Sequence, residues 1–94
     1  MSKILLDKVH ARCKEIAIEK SIDLTKIKDR EIWISYLCCF FQAAKEIRDD
    51  FYDKGLFNTA NAMGDLIKQQ RKYCRDTDEQ KAISEILDVD ELAN

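Results

Sequence analysis

The side chains that could do chemistry in this chain are few: one histidine, His10, and four cysteines, Cys13, Cys38, Cys39 and Cys74. His10 and Cys13 stand three residues apart, one turn of a helix, a spacing that suits a pair of metal ligands or a thiol beside its base. The rest of the chain completes neither. There is no Cys-x-x-Cys pair, and Cys38 and Cys39, adjacent on a helix, point about 100° apart and do not easily chelate one ion. A carboxylate-bridged di-iron site would need inward-facing Glu-x-x-His pairs, and none is present. A nucleophilic Cys or Ser would have only His10 to orient it. Paired carboxylates such as Asp49 and Asp50 are commonplace on helix surfaces, and no glycine-rich phosphate loop occurs. The expectation is a protein with no catalytic residue, no metal and no cofactor, whose cysteines pack as small apolar groups.

What remains is binding, and three sets of residues could carry it. Glu46, Asp49, Asp50 and Asp53 form an acidic ridge at helical spacing; Lys68, Arg71, Lys72 and Arg75 form a basic one. Between them in chemistry is the uncharged run Ile32–Ala44, which offers Trp33, Tyr36, Leu37, Phe40 and Phe41 as an apolar interface. A helix this apolar needs cover on more than one side, supplied either by its own chain or by a second copy. The steps from Trp33 through Leu37, Phe40, Ala44 and Ile47 to Phe51 keep a heptad-like seam that would suit a homodimer. The spacing Ala60-x-x-x-Gly64 echoes a helix-turn-helix and, with the basic ridge downstream, raises a dimeric nucleic-acid-binding regulator as the alternative. Asp65 stands where that motif wants an apolar residue, and the apolar pattern runs on through Gly64. A glycine inside one continuous helix is the better reading.

Composition points the same way. A net charge of −2 and a pI near 5.4 argue against a sequence-independent grip on nucleic acid, which rests on Lys and Arg displacing counterions. The charge is uneven: residues 76–94 carry one basic and seven acidic groups. The uncharged run, about 20 Å as a helix, is well short of a bilayer span, and Ile4-Leu5-Leu6 is cut off at once by Asp7 and Lys8, so no secretory signal is read. A cytoplasmic protein with reduced thiols and no membrane segment is expected.

The elements that must position these residues follow from periodicity. Ninety-four residues with no proline, two glycines and 36% charged residues suit one all-α domain, 1–94, rather than a many-turned β fold. Leu6, Val9, Cys13, Ile16 and Lys20 share a line on a first helix from about Ser2, its candidate cap, to Lys20. Residues 21–28 read as a connection with one short helical turn, from which Ile22, Leu24 and Ile27 would plug the core. Asp29 caps a second helix over about 30–53. A third, about 57–74, carries Ala60, Met63, Ile67 and Cys74 on one face, extended by Leu66 and Tyr73, and its small Ala60, Ala62 and Gly64 would allow close approach to the second. Thr77-Asp78-Glu79-Gln80 fits a capping box that opens a short acidic fourth helix to about Leu87, after which residues 89–94 are expected to fray.

The turn between the second and third helices is the most legible one. Tyr52, Gly55, Phe57 and Ala60 give an aromatic, a glycine, an aromatic and a small residue over nine positions. This resembles the internal turn of a tetratricopeptide repeat and implies a tight antiparallel helical hairpin over 30–74. No second copy follows at a 34-residue interval, and Gly64 occupies a position where the repeat carries a bulky aromatic. The sequence thus predicts a four-helix domain that works without catalysis, as an adaptor-, inhibitor- or modulator-type protein of the kind viruses also encode, binding another protein.

Overall fold

The computed structural model describes residues 3–74 and 76–87, and among these the chain is all helix and connection with no strand. Four α-helices, α1 (Lys3–Glu19), α2 (Arg30–Asp53), α3 (Phe57–Lys72) and α4 (Thr77–Ile86), form one small bundle, with a single 3-10 turn at Leu24–Lys26 between α1 and α2. The helix α2 is the axis. α1, α3 and α4 each pack on it and make few contacts with one another.

The ends of α2 are set by local chemistry. Asp29, in extended conformation, accepts a hydrogen bond from the Glu31 amide, satisfying one of the donors a helix start leaves open. At the other end Gly55 sits at φ 76°, and the amides of Gly55 and Leu56 donate back to the carbonyls of Tyr52 and Phe51, the Schellman arrangement. Only glycine adopts that left-handed φ without a Cβ penalty, so the hairpin turns at Gly55.

The same closure ends α1, with Ser21 in the left-handed position at φ 57°. Its amide donates to the Ile18 carbonyl, and the Ile22 amide to that of Ala17. The bend sends Ile22 and then Leu24 onto the core, whereas Ile27 stays half-buried outside it.

The start of α4 differs from the expected capping box. Asp76, not Thr77, is the cap, accepting from the amides of Asp78 and Glu79. Gln80 does not return to the cap; its amide donates to the Cys74 carbonyl, clasping the end of α3 to the start of α4. A carboxylate accepts more strongly than a hydroxyl from two amides at once, which is why the cap falls one residue earlier. Arg30 reaches Asp76 and Asp78 at 2.8 Å, and Lys45 donates to the Ile86 carbonyl at 3.3 Å. α4 is thereby fastened to α2 at both ends and runs parallel to it, while α1 and α3 run antiparallel.

Leu5, Val9, Cys13, Ile16 and Ala17 of α1 meet Cys39, Phe40, Phe41, Ala43 and Ala44 of α2, with Met63, Leu66 and Ile67 of α3 and Ile83 of α4 closing the core. Three sequence expectations are corrected. Gly64 is not a point of close approach, since a Cβ there would meet nothing within 4 Å. α3 ends at Lys72, so Cys74 is buried just beyond the helix rather than on it. Tyr73 is 79% exposed and extends no core face. The proposed Ser2 cap and residues 89–94 lie outside the described residues.

Candidate functional site

The thiols are placed for packing. Cys13, Cys39 and Cys74 are buried, Cys38 is half-buried, and burial pushes all four thiols' pKa values up from the ordinary value, disfavouring the thiolate that a nucleophile or metal ligand must be. Cys13 Sγ donates to the Tyr36 carbonyl of α2, while His10 lies against the Phe40 ring at a centroid distance of 5.5 Å. Their shared turn therefore aims them at different neighbours. Among the described residues no three His, Cys, Asp or Glu side chains converge as a metal site would require.

The ridges also resolve residue by residue. Glu46 accepts from Arg12 at 2.9 Å, Asp49 from the neighbouring Arg48 at 3.1 Å, and Asp50 pairs with Lys54 at 2.9 Å. Asp53 stands exposed at the end of α2. Three of the four acids are thus held in ion pairs within the chain, which stabilise exposed groups only weakly but lower what a partner gains by pairing with them. Lys68, Arg71 and Lys72 border a shallow depression of about 170 Å³ against Gln80 of α4. Arg75 lies outside the described residues. α3 runs unbroken through Gly64, so Ala60 and Gly64 do not form the turn of a helix-turn-helix.

The apolar set divides by depth. Phe41, at 1% exposure, and Phe40, at 7%, belong to the core and meet edge to face at 5.5 Å. Tyr36 and Leu37 are partly buried against it, and Trp33 remains 41% exposed, stacked on Tyr36 at 6.4 Å. All five line one groove of about 310 Å³ at the start of α2, walled by His10 of α1 on one side and by Gln70, Tyr73 and Glu79 on the other.

Those last residues were not in the expected binding set. Tyr73 follows Ile67 by six positions, about 240° of helix at 3.6 residues per turn, which places it well off the core line and was a usable signal. Glu79 gave no such signal, because only the parallel run of α4 brings it to the groove. A second exposed apolar cluster, Tyr52, Leu56 and Phe57, sits at the hairpin turn, where Tyr52 donates its hydroxyl proton to Asn61 at 2.8 Å. No helix among the described residues is long and apolar enough to cross a membrane. Compared with known proteins, the chain matches no family model, no curated protein and no solved structure.

Proposed function

We propose that this protein acts without catalysis, as a binding or regulatory protein that takes hold of another protein through the aromatic groove at the start of α2. One observation carries the reading. The groove is floored by core aromatics and rimmed by Trp33 and Tyr73, both substantially exposed. Tryptophan and tyrosine presented this way are the side chains that dominate protein interfaces, because they bury much area while losing little conformational freedom.

The test is affinity capture with the full chain as bait, alongside a Trp33→Glu/Tyr73→Glu variant and the charge variants Glu46→Lys/Asp50→Lys and Lys68→Glu/Arg71→Glu. Loss of specific prey by the groove variant alone is the expected result. Prey lost by a ridge variant and kept by the groove variant moves the site to that ridge. Sedimentation of the same proteins reads self-association, which the groove variant abolishes if a second copy is the occupant.

A further inference from the structure

We infer that the groove's occupant is an amphipathic helix of a partner protein, one that lays bulky apolar side chains against Trp33 and Tyr73 and sets a lysine or arginine on Glu79. This rests on the groove being the binding site and adds what it recognises. The first argument is about backbone. An extended peptide entering the groove brings an amide and a carbonyl per residue that need hydrogen-bond partners. The described lining residues offer a few side-chain tips, those of His10, Trp33, Tyr36, Gln70, Tyr73 and Glu79 with the weak Cys74 thiol, and no sheet edge to pair with. A helix satisfies its own backbone and asks the groove only for apolar contact. From Trp33 on the rim to Phe40 on the floor the groove runs along two turns of α2, about 10 Å, and takes a helix two to three turns long.

The second argument is about charge. Glu79 is the one carboxylate among the described lining residues, and no lysine or arginine is among them. Its backbone amide is used by the Asp76 cap, but among the described residues no salt bridge engages its side chain, and Arg30 is committed to Asp76 and Asp78. Lys68, Arg71 and Lys72 of α3 line a separate depression with Gln80, not the groove. The negative charge of Glu79 also reaches Cys74 on the groove wall, where it reinforces the effect of burial. A basic side chain from outside would complete the groove.

The sole tryptophan of the chain is Trp33, so the groove carries its own fluorophore. A tryptophan-free library of displayed peptides, both helix-forming and proline-interrupted, is selected on the full-length protein, and the enriched peptides are synthesised and titrated while Trp33 emission is followed. Helix-forming peptides with at least one Lys or Arg are expected to enrich and to shift the emission to the blue. Glu79→Gln is expected to weaken them about threefold and Glu79→Lys about tenfold, with circular dichroism confirming that both variants are folded. Peptides that shift Trp33 but are acidic, are proline-interrupted, or bind both Glu79 variants as well as the parent overturn this inference and leave the groove reading standing. Enrichment of peptides that leave Trp33 emission unmoved, or no enrichment, overturns both.

Discussion

Two of the clefts beside α2 are nearly equal in size and differ in how far their polar groups are already paired. The aromatic groove near its start encloses about 310 Å³; the cleft between α1 and the later half of α2 encloses about 350 Å³ and is lined by Lys8, Arg12, Glu15, Glu46, Asp50 and Lys54 among others. In the second cleft the charges answer each other: Arg12 to Glu46 at 2.9 Å and Glu19 at 3.6 Å, Lys54 to Asp50 at 2.9 Å, and Lys8 at 5.9 Å from the Phe51 ring centre. A ligand there would replace contacts already made. In the groove, apolar rings face water, which every buried square ångström of a partner would displace at a gain. Cavity volume alone does not distinguish a binding site; what the walls still lack does.

The comparison can be broken most forcefully at the groove floor. Phe41→Ala removes a fully buried ring shared by core and groove and is expected to cost about 3–5 kcal/mol in urea unfolding, against less than about 1 kcal/mol for Trp33→Ala on the rim. Equal costs for the two would make Trp33 a core residue and dissolve the distinction between floor and rim.

A smaller effect is expected at the wall. The Asp76 carboxyl is held below its ordinary pKa, chiefly by the Asp78 amide and further by the Glu79 amide and Arg30. A carboxyl depressed on folding stabilises the fold above its unfolded pKa of about 3.9 and loses that contribution as pH falls through the lower folded value. Protection factors of the α4 amides, exchange rates taken relative to the unfolded chain at the same pH, should therefore fall on acidification below about pH 4 in the parent, and Asp76→Asn should lack this component. An identical acid response in both proteins would remove Asp76 from the account of how that wall is held.

The smallest effect belongs to the charged cleft. Glu46→Gln breaks the pair with Arg12, yet Arg12 keeps Glu15 and Glu19 within reach, so the urea midpoint should hardly move and should not depend on salt more than that of the parent. A marked loss would show the cleft to be structural rather than merely self-satisfied.

Much of the fold was legible because local rules and tertiary packing agree. The bounds of α2, its Asp29 cap and the Gly55 turn all follow from residue type, and the structure has each of them. Ser21 was not legible as a left-handed residue, since serine there carries a steric cost of roughly 1–2 kcal/mol, offset by the amide bonds that close α1 and by the landing of Ile22 and Leu24 on the core. The cap of α4 was misplaced by one residue because Thr77 and Gln80 fit a known pattern while Asp76 met a stronger physical demand. The aromatic half of the groove was visible in the run Ile32–Ala44. Its polar wall was not, because Glu79 reaches it only through the direction α4 takes and Gln70 only through the way α3 packs on α2, neither of which a local period encodes.

Because α1, α3 and α4 lean on α2 far more than on one another, the bundle is wired like a hub with three spokes. α1 is expected to leave its seat without first loosening α3 and α4, which the Gln80 clasp joins, so opening should proceed through separate partial states. The amides of α2 are then expected to exchange by global unfolding, and those of the outer helices to exchange earlier. A partner helix settling between α1 and the α3–α4 junction would bridge spokes that barely touch, and the whole molecule would respond to it as to a missing brace.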